Sequence, residues 1–141
     1  MRAILDANIL LSALLSPLGA PAKILAAWER RSFTLVACEE LLSELREVAE
    51  RPFFRERLRA RGMAEVLIIS IRDLSLFCEE VPRGPVAPDP KDSYLLALAE
   101  AAQAEFLVTG DKELLMLGTH KSTKMISARD FAAMLEAGPA T

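Results

Sequence analysis

Hydrophobic and polar positions alternate between two rhythms along this chain. The opening run Arg2-Ala3-Ile4-Leu5 reads as a short buried parallel strand, and Asp6 stands where that strand ends, with Asn8 two residues on. Turn chemistry at Ser16 to Pro21 leads into a helix over Ala22–Arg30, with Ile24, Leu25 and Trp28 at helical spacing. Phe33–Ala37 is rich in strand formers, and a helix follows from Glu39 to Glu50. Strand, helix, strand, helix predicts an α/β fold, a parallel sheet covered by helices. Met63–Cys78 reads as one long helix, with apolar positions at Val66, Leu67, Ile69, Ile71, Leu74 and Phe77, before a brief strand over Glu79–Pro82. The helix predicted over Ser93–Ala102 is apolar nearly all round and therefore buried. Glu105–Thr109 is the next strand, Lys112–Leu117 a helix and Lys124–Ile126 a last short strand. Ser127 to Asp130 resembles a capping box opening a terminal helix through Leu135. The expected organisation is one domain over 1–137 with a frayed tail, Gly138–Thr141.

Placing the side chains at about 100° per residue makes some acids informative. On the second helix Leu41, Leu42, Leu45, Val48 and Ala49 form one apolar arc; Glu44 lies at its edge, whereas Glu40 and Glu47 lie further round, in solvent. Asp89-Pro90-Lys91-Asp92 reads as a helix start, with Asp89 as N-cap, Pro90 at N1 and Asp92 at N3. Asp92 then shares a face with Leu95, Leu96 and Ala99, which turns it inward. Asp111 follows a strand as Asp6 does. Each acid also has a plain structural explanation: turn former, helix cap or amphipathic edge. Arg51, Arg55, Arg57, Arg59 and Arg61 crowd one short stretch with Phe53 and Phe54. Arg51, Arg55 and Arg59 are candidates to meet phosphates, for which the guanidinium fork is suited; the other reading is a solvated helix face with the two phenylalanines plugging the core.

Composition narrows the chemistry. The 141 residues are 52% hydrophobic and 26% charged, as in a globular chain able to bury a core without staples. The apolar run from Ile9 to Leu15 is too short to span a bilayer, and Arg2 followed by Asp6 makes a poor signal peptide, so a cytoplasmic location is expected. Two cysteines, Cys38 and Cys78, and the single His120 do not furnish a thiolate or imidazole metal site. Net charge is 17 − 20 = −3, which argues against broad non-specific nucleic-acid binding while permitting a local basic patch.

Right-handed crossovers can bring Asp6, Glu44, Asp92 and Asp111 to one rim of the sheet. Two carboxylates about 4 Å apart repel by roughly 4 kcal/mol at an effective dielectric of about 20, so such a cluster protonates or binds a cation. Oxygen-only ligands select Mg²⁺ or Mn²⁺, and the chemistry that follows is metal-assisted phosphodiester hydrolysis.

Those residues also carry a resemblance. Leu5-Asp6-Ala7-Asn8-Ile9-Leu10 resembles the opening of PIN-domain ribonucleases, and Glu40 to Leu45, Asp89 to Asp92 and Leu107 to Leu114 resemble that family's later blocks, in order. The chain is most similar to the PIN-type, VapC-like toxin component of prokaryotic toxin-antitoxin systems. The resemblance implies a three-layer α/β/α sandwich on a five-stranded parallel sheet, order 3-2-1-4-5, that cleaves RNA with Mg²⁺ or Mn²⁺. It implies Asp6, Glu44, Asp92 and Asp111 as the catalytic acids, with Asp6, Asp92 and Asp111 as the metal ligands. Asn8, Thr109 and Asp89 are implied as accessory residues, and a cognate antitoxin and a homodimer as partners. Ala7 departs from the pattern, standing where Thr or Ser is common. That departure and the net charge support a second reading, a non-catalytic RNA- or partner-binding module with an impaired site. A phosphoacceptor receiver domain is a third, but neither its paired acids after the first strand nor its late-strand lysine is evident.

Overall fold

The computed structural model describes residues 1–58, 62–82, 87 and 89–138. Among the described residues six strands form one sheet: β1 (Arg2–Leu5), β2 (Thr34–Cys38), β3 (Leu76–Cys78), β4 (Phe106–Val108), β5 (Thr119–His120) and β6 (Thr123–Ile126). They lie in the order β3-β2-β1-β4-β6-β5. The first five of that order run parallel, which is the expected 3-2-1-4-5 arrangement. The sequence reading missed the sixth strand. β5 pairs antiparallel with β6 in a tight hairpin, Thr119 opposite Lys124, and closes one edge. Two residues are too few to show a period.

The helices are α1 (Ala7–Ser12), α2 (Ala20–Glu29), α3 (Glu39–Ala49), α4 (Pro52–Arg57), α5 (Gly62–Leu74), α6 (Ser93–Ala102), α7 (Lys112–Leu117) and α8 (Ala128–Ala137). Connections from β1 to β2 and on to β3 step one way across the sheet; those from β3 to β4 and on to β6 step the other way. Right-handed crossovers therefore place α2, α3 and α5 on one face and α6 on the other, an α/β/α sandwich. In keeping with this, α1 packs on α2 and α3, α3 packs on α5, and α6 touches β1, β2 and β4. α8 returns to α2, where Phe131 meets Phe33 edge-on at 5.3 Å and Phe106 at 5.6 Å. Among the described residues, no helix is long and apolar enough to cross a membrane.

Several boundaries differ from expectation. Asp6 opens α1 directly instead of a loop, because the apolar run after it buries Ala7, Ile9, Leu10 and Leu11 as a helix face. α2 begins at Ala20, with Pro21 in its first turn. The long helix predicted to reach Cys78 stops at Leu74, and β3 is Leu76–Cys78, not Glu79–Pro82. Pairing decides this: Leu76, Phe77 and Cys78 align with Val36, Ala37 and Cys38 of β2, satisfying backbone groups that a continued helix would have turned on itself. The buried stripe of α5 is Ala64, Leu67, Ile68 and Ile71, whereas Val66, Ile69 and Leu74 face solvent. The arc predicted for α3 is buried as read. Cys38 is buried, Cys78 half-buried, and both are free thiols. The expected frayed tail beyond Gly138 lies outside the described residues.

Candidate active site

β1 and β4 are neighbours whose following connections diverge, one toward β2 and the other toward β6. That divergence opens a crevice at their carboxyl ends, the place where open α/β sheets bind ligands. A cleft of about 430 Å³ lies there, lined by Asp6, Ala7, Asn8, Ile9, Ser12, Glu44, Asp92, Gly110 and Asp111. All four acids singled out in the sequence therefore line one cavity.

Each acid is held by local structure. Asp6 caps α1: its Oδ1 accepts from the Ile9 amide at 3.1 Å. Its Oδ2 accepts from the Thr109 hydroxyl at 2.5 Å, across the β1–β4 seam. Thr109 has no solvent exposure, and its Oγ1 in turn accepts from the Asp111 amide at 3.0 Å. Asp111 caps α7, its Oδ1 accepting from the amides of Glu113 (2.8 Å) and Leu114 (3.3 Å). One buried hydroxyl thus ties the two strand-end acids together. Asp92 ends a tight 3-10 turn over Pro90–Asp92 and stands at the N-cap of α6, in place of the expected N3 position. Asp89 caps that turn through the Lys91 amide at 3.0 Å. The Asp92 amide donates to the Asp89 carbonyl at 2.9 Å, the short loop closure that separates the turn from the helix proper. Glu44 is half-buried on α3, and its Oε2 accepts from the Tyr94 hydroxyl of α6.

Among the described residues, none of Asp6, Glu44, Asp92 or Asp111 enters an ion pair; the pairs join Lys23–Glu136, Arg46–Glu39, Arg51–Glu47, Arg72–Glu39 and Glu100 with His120 and Lys121. Burial raises the Asp6 carboxyl above the ordinary aspartate range, against the pull of its Thr109 and Ile9 hydrogen bonds, and the Glu44 charge adds to the rise. Asp92 is pushed up to about 7, first by burial and then by the charges of Asp111 and Asp89; a hydrogen bond shared with Asp111 and the charge of Glu44 push the same way. Burial and the bond to Glu44 also raise the Tyr94 phenol. All-oxygen donors that enter no ion pair among the described residues fit a hard divalent cation. The acids line a shared cleft, but among the described residues no three His, Cys, Asp or Glu side chains stand together as a ready metal cluster.

The remaining candidates divide. Asn8 is exposed on the cleft wall. Ala7 also lines the cleft, yet at 1% exposure its methyl belongs to the core. Arg51 is paired with Glu47 at 3.4 Å. Arg57 folds back over the Phe53 ring at 4.0 Å and donates to the Phe53 carbonyl. Arg55 is exposed on α4 and enters no ion pair among the described residues; Arg59 lies outside them. Arg51, Arg55 and Arg57 do not line the acidic cleft. Of the expected plugs, Phe54 is buried and Phe53 exposed. Tyr94 was the residue the sequence reading missed. Its signal was the only tyrosine of the chain, set in a largely apolar helix two positions after Asp92.

No curated protein and no solved structure matches the chain at a significant level. The family comparison does match: residues 2–113 align with the PIN domain, a span that holds all four acids and the Thr109 relay between two of them. The chain belongs to the PIN domain family, whose members are generally nucleases that use divalent metal ions.

Proposed function

We propose that this protein is a metal-dependent endoribonuclease, the toxin of a toxin-antitoxin pair working in the cytoplasm. The observation that carries this reading is the convergence of Asp6, Glu44, Asp92 and Asp111 on one cleft, none of them in an ion pair among the described residues. Asp6, Asp92 and Asp111 would hold Mg²⁺ or Mn²⁺, and Glu44 completes the acid set. When bound, such an ion polarises the scissile phosphate and lowers the pKa of the attacking water. Thr109 keeps Asp6 aimed into the cleft, and the exposed Asn8 amide has donors for phosphate or ribose oxygens. Arg55, exposed on α4, would help draw RNA phosphates toward the protein. Exposed Val66, Ile69 and Leu74 on α5 give a cognate antitoxin, or a second copy in a homodimer, an apolar surface to cover. The test is cleavage of a mixed RNA pool with Mn²⁺ by the parent and by Asp6→Asn. The parent cleaves and the variant loses at least a hundredfold in rate; equal rates end the proposal.

A second reading, a PIN-fold module that binds RNA or a partner without cleaving, is favoured by the absence of a ready three-ligand cluster among the described residues. Calorimetric titration with Mn²⁺ separates the two. Carboxylate-dependent binding at millimolar metal belongs to the nuclease, and its absence belongs to the module.

A further inference from the structure

We infer that Tyr94 is a positioning residue, whose hydroxyl holds Glu44 at the cleft by donating to its Oε2. The inference rests on the metal-dependent reading above and deepens it. Glu44 comes from α3 on one face of the sheet and Tyr94 from the first turn of α6 on the other, 50 residues later in the chain. Their hydrogen bond spans the rim where the two helical layers meet. Among the described residues no ion pair holds Glu44, and Arg46 and Arg72 both pair with Glu39 instead. A free glutamate has three rotatable bonds, so a carboxylate at the edge of an amphipathic helix is ordinarily mobile. Donation from a partly buried phenol fixes one oxygen and leaves the other to face the cavity. Outer hydrogen bonds to acids at metal sites commonly govern affinity by about 10- to 100-fold. Tyr94 also stands two residues after Asp92, so a single helix start delivers one acid to the site and orients another.

Phenylalanine keeps the ring and its packing while removing only the donor. The experiment measures Mn²⁺ binding, as free Mn²⁺ by electron paramagnetic resonance, in the parent, Tyr94→Phe, Glu44→Gln and the double variant, with RNA cleavage measured alongside. Tyr94→Phe is expected to bind Mn²⁺ about tenfold more weakly, which corresponds to about 1.4 kcal/mol, with melting within a few degrees of the parent. The double variant is expected to bind no more weakly than Glu44→Gln, because the hydroxyl acts only through Glu44. A Tyr94→Phe protein that binds Mn²⁺ as the parent does, or losses that add in the double variant, overturns the inference and leaves the nuclease reading standing. A parent that binds no Mn²⁺ ends both.

Discussion

A single hydroxyl does the joining at the cleft. Thr109 donates to Asp6 and accepts from the Asp111 amide while having no exposure to solvent. Replacing it with valine keeps the shape but strands the partly buried Asp111 amide and strips Asp6 Oδ2 of its donor, leaving only the Ile9 amide on Oδ1. Leaving such groups unpaired costs about 1–3 kcal/mol each, so Thr109→Val is expected to unfold at clearly lower denaturant than the parent, measured by urea titration. The raised carboxyls at the cleft make a pH prediction with a definite sign. Asp92 rises from 3.8 to about 7 on folding, so between those values the folded state binds more protons than the unfolded one. Stability that is full below about pH 4 is then lost as pH climbs toward about 7, the reverse of a salt-bridged aspartate. Thermal melts of the metal-free protein across that range are expected to fall with pH, and Asp92→Asn is expected to flatten the fall. The resemblance already carried Thr109 and Asp92 as residues of interest. The relay between Thr109 and two acids was beyond sequence, because Asp6 lies 103 residues from Thr109 and meets it only when β1 pairs with β4.

At the level of elements, the acids serve the fold and the site together. Asp111 caps α7 with two amides, and Asp6 caps α1 with one. Asparagine caps nearly as well as aspartate, whereas alanine in place of a good cap costs about 1 kcal/mol. Asp111→Asn is therefore expected to stay as stable as the parent or to exceed it, since a repulsion with Asp92 disappears, while Asp111→Ala falls about 1 kcal/mol below Asp111→Asn. Both are expected to lose RNA cleavage; chemical denaturation beside an activity assay separates cap from charge. Amphipathic elements were legible from the chain alone: the α3 arc from Leu41 to Ala49 is buried as its period says, and Glu44 lies at the edge of that arc. β3 was not legible. Leu76-Phe77-Cys78 continues the apolar content of the preceding helix, and only hydrogen bonding to β2 turns it into a strand. The same limit hid the β5 hairpin strand and let the exposed Val66, Ile69 and Leu74 pass for core.

For the whole molecule, the decisive feature is the divergence of connections after β1 and β4, which opens the crevice that the acids line. A cation bound there would stabilise the fold by mass action, by about 2.7 kcal/mol at a free concentration a hundred times its dissociation constant. Mn²⁺ is thus expected to raise the melting temperature of the parent and to leave Asp6→Asn nearly unmoved in a thermal-shift titration; an equal rise in both would place the ion elsewhere. The sequence by itself determined the α/β class, the strand-end aspartates, the buried arc of α3 and the inward bias of Glu44, because period and capping are local properties of consecutive residues. It also held the blocks by which the chain resembles PIN-domain ribonucleases. Only the tertiary structure decided that the four acids share one cleft, that Arg51 and Arg57 are engaged near their own helix, that Ala7 faces the core, and that Tyr94 reaches Glu44. The reason is physical. Those facts depend on which strands pair and on which face each crossover lands, and both are settled by the packing of segments that are remote in sequence.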